Sequence, residues 1–133
     1  MASISREVVI ESSAGDVWKV IGEFATGPSR MAPGFVVSTE AEGDYRTVTF
    51  ADGTVVRERR IGVDDEARRI AYSIVGGSVE PEHDNASMQA FPDGERRCRL
   101  VWTRDVLPDR LAVPMAESMS RGLDVIKRTL DDR

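Results

Sequence analysis

Hydrophobic and polar positions along the chain predict one strand, a short helix, six further strands and a long final helix. Apolar residues alternate with polar ones in seven segments, as they do in half-buried strands. We assign these strands to residues 4–11, 34–40, 45–50, 54–63, 69–75, 83–91 and 96–106. Ser13, followed three residues later by Asp16, resembles a capping box and predicts the first helix over 14–24. Residues 25–33 are expected to form a loop, with or without one helical turn at 29–32.

The last segment of the chain changes from the period of a strand to that of a helix. Its apolar residues recur at steps of four or three, at positions Leu111, Met115, Met119, Leu123, Ile126 and Leu130. This spacing predicts an amphipathic helix of about 20 residues, roughly 30 Å long, which begins near Asp109. Pro114 does not fit a helix interior, so the helix either begins near it or kinks there.

Short turns between the later strands predict an antiparallel meander. Asp52-Gly53 is the strongest hairpin signal and suggests a type I′ turn, which needs positive φ at both positions. One face of such a sheet must be covered to bury its apolar side chains, and only the final helix is long enough. A twisted sheet of seven strands curls, so a helix across its concave side can leave a cavity.

A glycine in the middle of the final helix bears on this cavity. Gly122 lies on the same stripe as Met115 and Met119 and costs about 1 kcal/mol relative to alanine. Its absent side chain either leaves room for a ligand or lets the helix pack closely on the sheet. Both interpretations stay open at the level of the sequence.

Composition narrows the classes of partner. The 133 residues fit a single domain over 1–133. A net charge of −5 argues against a nucleic-acid partner, and no apolar run reaches the ~18 residues that a membrane span needs. The N-terminus lacks the apolar core of a signal peptide, so we expect a cytoplasmic protein. Arginine far outnumbers lysine, which suggests a GC-rich bacterial genome.

Cysteine and histidine are too few for the usual metal sites. Cys98 is the single cysteine and His83 the single histidine, so an intramolecular disulfide and a Cys/His metal site are excluded. The sequence also lacks a phosphate-binding glycine loop and a nucleophile elbow. We therefore expect neither a cofactor nor a metal ion, and we interpret Cys98 as inert.

Three segments resemble the START-like superfamily, also called SRPBCC, which includes the birch-pollen allergen and polyketide cyclases. They are SAGDVWKVIGEF at Ser13–Phe24, WTRDVLP at Trp102–Pro108 and RGLDVIK at Arg121–Lys127. The resemblance implies an α+β helix-grip fold. In this fold a seven-stranded curved antiparallel sheet, with a small N-terminal helix pair or helix-loop, is closed by a long C-terminal helix over a cavity. The family includes binders, carriers, cyclases and hydrolase-like enzymes, so the fold does not settle the function.

Two residues are candidates for acid–base chemistry in this cavity. Glu58, on the fourth strand, could exchange protons if an apolar cavity raised its pKa, or it could be a surface carboxylate paired with Arg57, Arg59 or a cross-strand arginine. His83 carries the only imidazole, which could act as a base at the cavity mouth or lie in solvent. We name both as tentative catalytic residues.

Aromatic and sulfur-containing side chains are candidates for contact with a ligand. Tyr72 and Trp102 could orient a polar group on an apolar molecule, while methionines adapt to an irregular apolar surface. The alternative for each is ordinary core packing. The predicted ligand-binding set is Tyr72, Met88, Trp102, Met115, Met119 and Gly122.

Three classes of function follow from these features. The leading hypothesis is a binder or carrier of a small, mostly apolar molecule of the lipid, polyketide or isoprenoid type. The second is a cofactor-independent cyclase, aromatase or dehydratase that uses Glu58 and His83 as its acid–base pair. The third is a protein-interaction module with a collapsed cavity. We expect a monomer or a homodimer.

Overall fold

A computed structural model describes residues 1–132, and the predicted elements occur in the predicted order. The first strand begins two residues earlier than expected, and the first helix ends three residues earlier. The strands are β1 (Ala2–Ile10), β2 (Val36–Glu42), β3 (Tyr45–Phe50), β4 (Val55–Asp64), β5 (Arg69–Gly77), β6 (His83–Pro92) and β7 (Cys98–Leu107). The helices are α1 (Ala14–Ile21), α2 (Gly27–Met31) and α3 (Ala112–Leu130), and a short 3₁₀ turn, Asp109–Leu111, precedes α3.

All seven strands form one open antiparallel sheet, which confirms the predicted fold class. The strand order is β1-β7-β6-β5-β4-β3-β2, so successive strands are neighbours except that the first pairs with the last. Helix α3 packs against β1 and buries Met119, Leu123 and Ile126 together with Gly122. The long helix over a curved sheet is the helix-grip arrangement that the sequence resemblance implies.

The region between β1 and β2 forms a helix pair. Ser13 caps α1 as predicted, because its Oγ accepts a hydrogen bond of 3.1 Å from the amide of Asp16. Helix α2 has Pro28 in its first turn, where a missing N–H is tolerated. It packs on the edge strand β2 and on the helices α1 and α3.

The structure differs from the sequence expectation at Asp52-Gly53 and decides between two alternatives at Pro114. The prediction of a type I′ turn at Asp52-Gly53 is wrong, because only Gly53 has positive φ, at 92°, and residues 51–54 form a longer loop. Asp52 instead stabilises this loop by accepting a hydrogen bond of 2.9 Å from the Thr54 amide. Pro114 is the third residue of α3, so the helix begins near it.

Irregular pairing bends the sheet next to the cavity. The register between β4 and β5 shifts twice, between Arg57 and Glu58 and between Arg60 and Gly62. Pairing of β5 with β6 runs from Arg69 only to Tyr72. Bulges increase local twist and curvature, so the strands curl towards α3.

One end of α3 is tied to the start of the chain. Lys127 Nζ donates to the carbonyl of Val9 at 2.8 Å, and the amide of Asp132 donates to the carbonyl of Glu11 at 2.7 Å. The Ser12 hydroxyl also donates to the carbonyl of Leu130. These contacts hold the C-terminal end of the helix, whereas its N-terminal half covers the cavity. Across residues 1–132, no helix combines the length and the apolar character needed to cross a membrane.

Candidate ligand cavity

A cavity of about 560 Å³ lies between α3, the β3–β4 hairpin and β7. This volume falls within the roughly 300–1,000 Å³ of small-molecule sites. Its lining is mainly apolar and comprises Gly34, Phe35, Phe50, Ala51, Asp52, Thr54, Val56, Glu58, Ile74, Val79, Trp102, Arg104, Leu111, Pro114, Met115, Ser118, Met119 and Arg121. We call it the outer cavity.

A second cavity of about 50 Å³, the inner cavity, adjoins the first. It has room for a few water molecules, since one water needs a cavity of roughly 10–15 Å³. The two cavities share Phe35, Phe50, Glu58 and Trp102, so these four residues surround the point where they meet. The remaining lining consists of Pro28, Met31, Ala32, Val36, Arg46, Val48, Tyr72, Met88, Gly122 and Ile126.

The outer cavity has an exposed rim and a buried end. Ala51, Asp52 and Arg121 are exposed rim residues, whereas Glu58 and Arg104 are only 6% and 5% exposed. Hydrogen bonds from Thr54 lower the pKa of Asp52, and the positive charge of Arg121 lowers it further. A ligand that enters between the β3–β4 loop and α3 therefore passes an apolar wall before it meets buried charges.

Glu58 is held at the buried end by a cross-strand ion pair. It stands opposite Arg46 in the register of β3 and β4, and Arg46 Nε donates to Glu58 Oε1 at 2.7 Å. The Arg46 guanidinium also donates to the carbonyl of Phe24 at 3.0 Å. It lies 4.4 Å from the centroid of the Phe24 ring and 4.8 Å from that of Tyr72. These contacts fix the guanidinium and, through it, the carboxylate of Glu58.

A second buried ion pair joins β6 to β7. Arg104 Nε donates to Asp84 Oδ1 at 2.6 Å, and Asp84 Oδ2 accepts from the amide of Ile74 at 2.8 Å. The Asp84 carboxylate thus accepts a hydrogen bond from an amide of β5 that lies beyond the point where β5 stops pairing with β6. Burial opposes the charge on Arg104, but the ion pair with Asp84 and the nearby charge of Glu58 favour it, and the pKa of the guanidinium is raised. Arg104 therefore faces the outer cavity as a cation.

Tyr72 lies between the two ion pairs. Trp102 Nε1 donates to the Tyr72 hydroxyl at 2.8 Å, which orients both rings. Burial, followed by the nearby charge of Glu58, raises the pKa of Tyr72 to about 12. The phenol therefore keeps its proton at neutral pH.

The structure brings most of the predicted ligand-binding residues together. Trp102, Met115 and Met119 line the outer cavity, while Tyr72 and Met88 line the inner one. Gly122 also borders the inner cavity, but a Cβ there would lie 3.3 Å from the rings of both Phe35 and Trp102. The glycine thus serves close packing of the helix, as in the second of the two interpretations above.

His83 does not join Glu58 in the cavity. It is the exposed first residue of β6 and lines neither cavity. The reason is the alternation of the strand: Asp84, Ala86 and Met88 point into the protein, which leaves His83 on the outer face. The acid–base pair expected from the sequence is therefore not assembled, and the partner of Glu58 is Arg46.

Arg46 and Arg104 are the functional residues that sequence reasoning missed. Each lies two residues before a buried apolar residue of its own strand, and therefore on the same inward face: Arg46 before Val48, and Arg104 before Val106. An arginine at an inward position of a strand needs a buried carboxylate, and this pattern was the available signal. Phe35 and Phe50 were also missed; their rings form an edge-to-face pair at 5.5 Å beside the cavity.

Other reactive groups lie away from the cavity. Burial raises the pKa of the Cys98 thiol to about 11, and this side chain borders neither cavity. Within residues 1–132, no three His, Cys, Asp or Glu side chains are grouped so that they could hold a metal ion. The polar groups at the buried end of the site are Arg46, Glu58, Tyr72 and Arg104.

Comparison with known families agrees with the fold. Residues 1–132 match the family described as polyketide cyclase/dehydrase and lipid transport. The chain belongs to this family, and thus to the SRPBCC superfamily that its sequence resembles. A separate comparison with curated proteins finds no significant match.

Solved structures share the fold at low sequence identity. The protein XoxI from Bacillus cereus superposes with a TM-score of 0.85 at 22% identity, covering 98% of this chain and 96% of that one. Truncated norcoclaurine synthase from Thalictrum flavum gives a TM-score of 0.75 at 21% identity, covering 99% and 94%. The di-domain ARO/CYC protein BexL of the BE-7585A biosynthetic pathway gives 0.78 at 15% identity, covering 97% of this chain and 46% of that one. At these identities the likeness defines the fold.

Proposed function

We propose that this protein binds a small, mostly apolar molecule in the outer cavity and carries it or presents it to a partner. The observation that supports this proposal is the cavity of about 560 Å³, whose mainly apolar wall ends at two buried charged residues. Burial of apolar surface at about 25 cal/mol per Å² would supply most of the affinity. Glu58 and Arg104 would orient the end of the ligand that enters first.

A catalytic role has less support than binding. The family description includes cyclases and dehydrases, and Glu58 lies in a cavity as such an enzyme requires. General acid–base catalysis needs a group that can give or take a proton within reach of the substrate. Glu58 is instead ion-paired with Arg46 at 2.7 Å, and His83 lies in solvent. A cyclase or dehydratase activity stays the second candidate.

An interaction module with a collapsed cavity is the least supported of the three classes. That hypothesis requires a filled interior, whereas the volume beneath α3 is open to solvent at an exposed rim. The side chains at its centre, Trp102 and Met115, are only partly buried.

Two serines on α3 give a matched test of the binding proposal. Ser118 lines the outer cavity, whereas Ser120, two residues further along the same helix, is exposed and lines neither cavity. Fluorescence titration with the neutral probe N-phenylnaphthylamine should show one saturable site in the wild type. Ser118→Trp should weaken this binding by about tenfold or more, because the indole fills the cavity. Ser120→Trp should stay within about twofold of the wild type.

Two results of this titration would contradict the proposal. Absence of saturable binding in the wild type, or equal loss of binding in both tryptophan variants, would mean that the probe does not occupy the cavity. Native mass spectrometry of freshly purified protein complements the titration, since a co-purifying molecule would identify the ligand class directly.

A further inference from the structure

The buried end of the outer cavity presents one acceptor and one donor that the protein leaves unused. Glu58 Oε1 accepts from Arg46, but Glu58 Oε2 accepts no hydrogen bond from residues 1–132. Arg104 donates to Asp84 through Nε and Nη2, but its Nη1 makes no hydrogen bond there. Within the described residues, no fully enclosed side-chain nitrogen or oxygen lacks a partner, so both free atoms border open space. Glu58 and Arg104 both line the outer cavity.

The charges around this space already balance. Two arginines and two carboxylates form the buried pairs, Arg46 with Glu58 and Arg104 with Asp84. A ligand carboxylate would add an unpaired negative charge beside Glu58, and an ammonium would add a positive charge beside two guanidinium groups. Either ion would lose its hydration and gain only a hydrogen bond to a residue whose charge is already neutralised by its own partner.

From the two free atoms and the balanced charges, we infer that the ligand carries an uncharged hydroxyl group at its buried end. The hydroxyl donates its proton to Glu58 Oε2 and accepts from Arg104 Nη1, so one small group satisfies both atoms. The rest of the molecule lies against the apolar wall formed by Val56, Ile74 and Met119. This inference rests on the proposed function and names the chemical class of the ligand: an apolar alcohol or phenol, not a fatty acid or an amine.

A series of naphthalene derivatives tests the end group on the wild-type protein. Ethylnaphthalene, naphthylmethanol and naphthylmethylammonium have nearly the same shape, and naphthoate supplies the carboxylate. All carry their substituent at the same ring position, and their dissociation constants are measured by competition with N-phenylnaphthylamine at neutral pH. We expect the alcohol to bind roughly tenfold more tightly than the hydrocarbon, because its hydroxyl meets charged partners, and both ions to bind more weakly than the alcohol.

A double variant tests the role of Glu58 without leaving Arg46 buried and unpaired. Arg46→Met with Glu58→Leu removes this ion pair as a unit, so neither of its charges is left buried without the other. In this variant the ratio of alcohol to hydrocarbon affinity should fall severalfold, because only the hydrogen bond from Arg104 remains. An alcohol preference equal to that of the wild type would overturn the assignment of Glu58 as the acceptor.

The outcomes separate this inference from the proposed function. If the alcohol and the hydrocarbon bind equally, or if the carboxylate or the ammonium binds most tightly, the hydroxyl assignment is wrong while the binding function stands. If none of the four compounds displaces the probe and the probe itself does not bind, the proposed function fails as well.

Discussion

Arg46 and Glu58 face each other across β3 and β4 and form an ion pair of 2.7 Å that is almost completely buried. The pair stands where the inner and outer cavities meet, because Glu58 lines both. It therefore joins two strands of the sheet and, under the proposed function, lies where a ligand would be oriented.

Breaking this pair from one side should destabilise the protein strongly. Glu58→Gln leaves the Arg46 guanidinium buried without its counter-charge, and we expect a loss of about 3–5 kcal/mol in the free energy of unfolding. Urea denaturation followed by circular dichroism measures this loss. The exposed pair of Arg99 with Glu7, at 3.1 Å, provides the control, since Glu7→Gln should cost less than about 1 kcal/mol. A similar small cost for both variants would show that water reaches the Arg46–Glu58 pair.

Tyr72 should make stability depend on pH in the alkaline range. Its pKa is raised to about 12 in the folded protein, above the value of about 10 in the unfolded chain. Below about pH 10 both states hold the proton and the contribution of Tyr72 is complete. Between about pH 10 and about 12 the unfolded state loses its proton first, so stability falls by about 2–3 kcal/mol in total.

A comparison of tyrosine variants isolates this effect from other groups that titrate in the same range. Tyr72→Phe should lose less stability than the wild type between about pH 9 and about pH 11, as measured by urea denaturation. Tyr45→Phe, on the outer face beside Arg57, should retain the dependence of the wild type. Identical pH profiles for the wild type and Tyr72→Phe would mean that the hydroxyl is not buried.

His83 should be dispensable for the cavity. The side chain is exposed at the start of β6 and borders neither cavity, so His83→Ala should bind N-phenylnaphthylamine within about twofold of the wild type. The same titration as for the serine variants measures this. A large loss of binding would restore His83 to the site and favour the acid–base hypothesis.

The sequence was sufficient for the element order and for the residues that α3 contributes. The helical spacing of Met115 and Met119 indicated the face of α3 that covers the cavity, whereas strand alternation left open which face of β6 points inward. The period of an element fixes which side chains share a face, but it does not say which of the two faces of a strand is buried.

The pairing of charged residues could not be predicted in the same way. Which arginine faces Glu58 depends on the register between β3 and β4. Two shifts in the register between β4 and β5 also change which residues of β5 lie opposite those of β4. A slip of one residue moves every side chain of a strand to the opposite face. The sequence therefore left two kinds of partner for Glu58, His83 or an arginine, and could not say that the cross-strand Arg46 would be the one.

Methionine methyl groups offer the most direct measurement of the central claim, that a molecule binds beneath α3. Of the five methionines, Met115 and Met119 line the outer cavity, Met31 and Met88 line the inner one, and Met1 is exposed. In NMR spectra of protein labelled at these methyl groups, addition of naphthylmethanol should shift the signals of Met115 and Met119 saturably and leave that of Met1 unchanged. Unchanged signals from Met115 and Met119 at saturating ligand would contradict binding in this cavity.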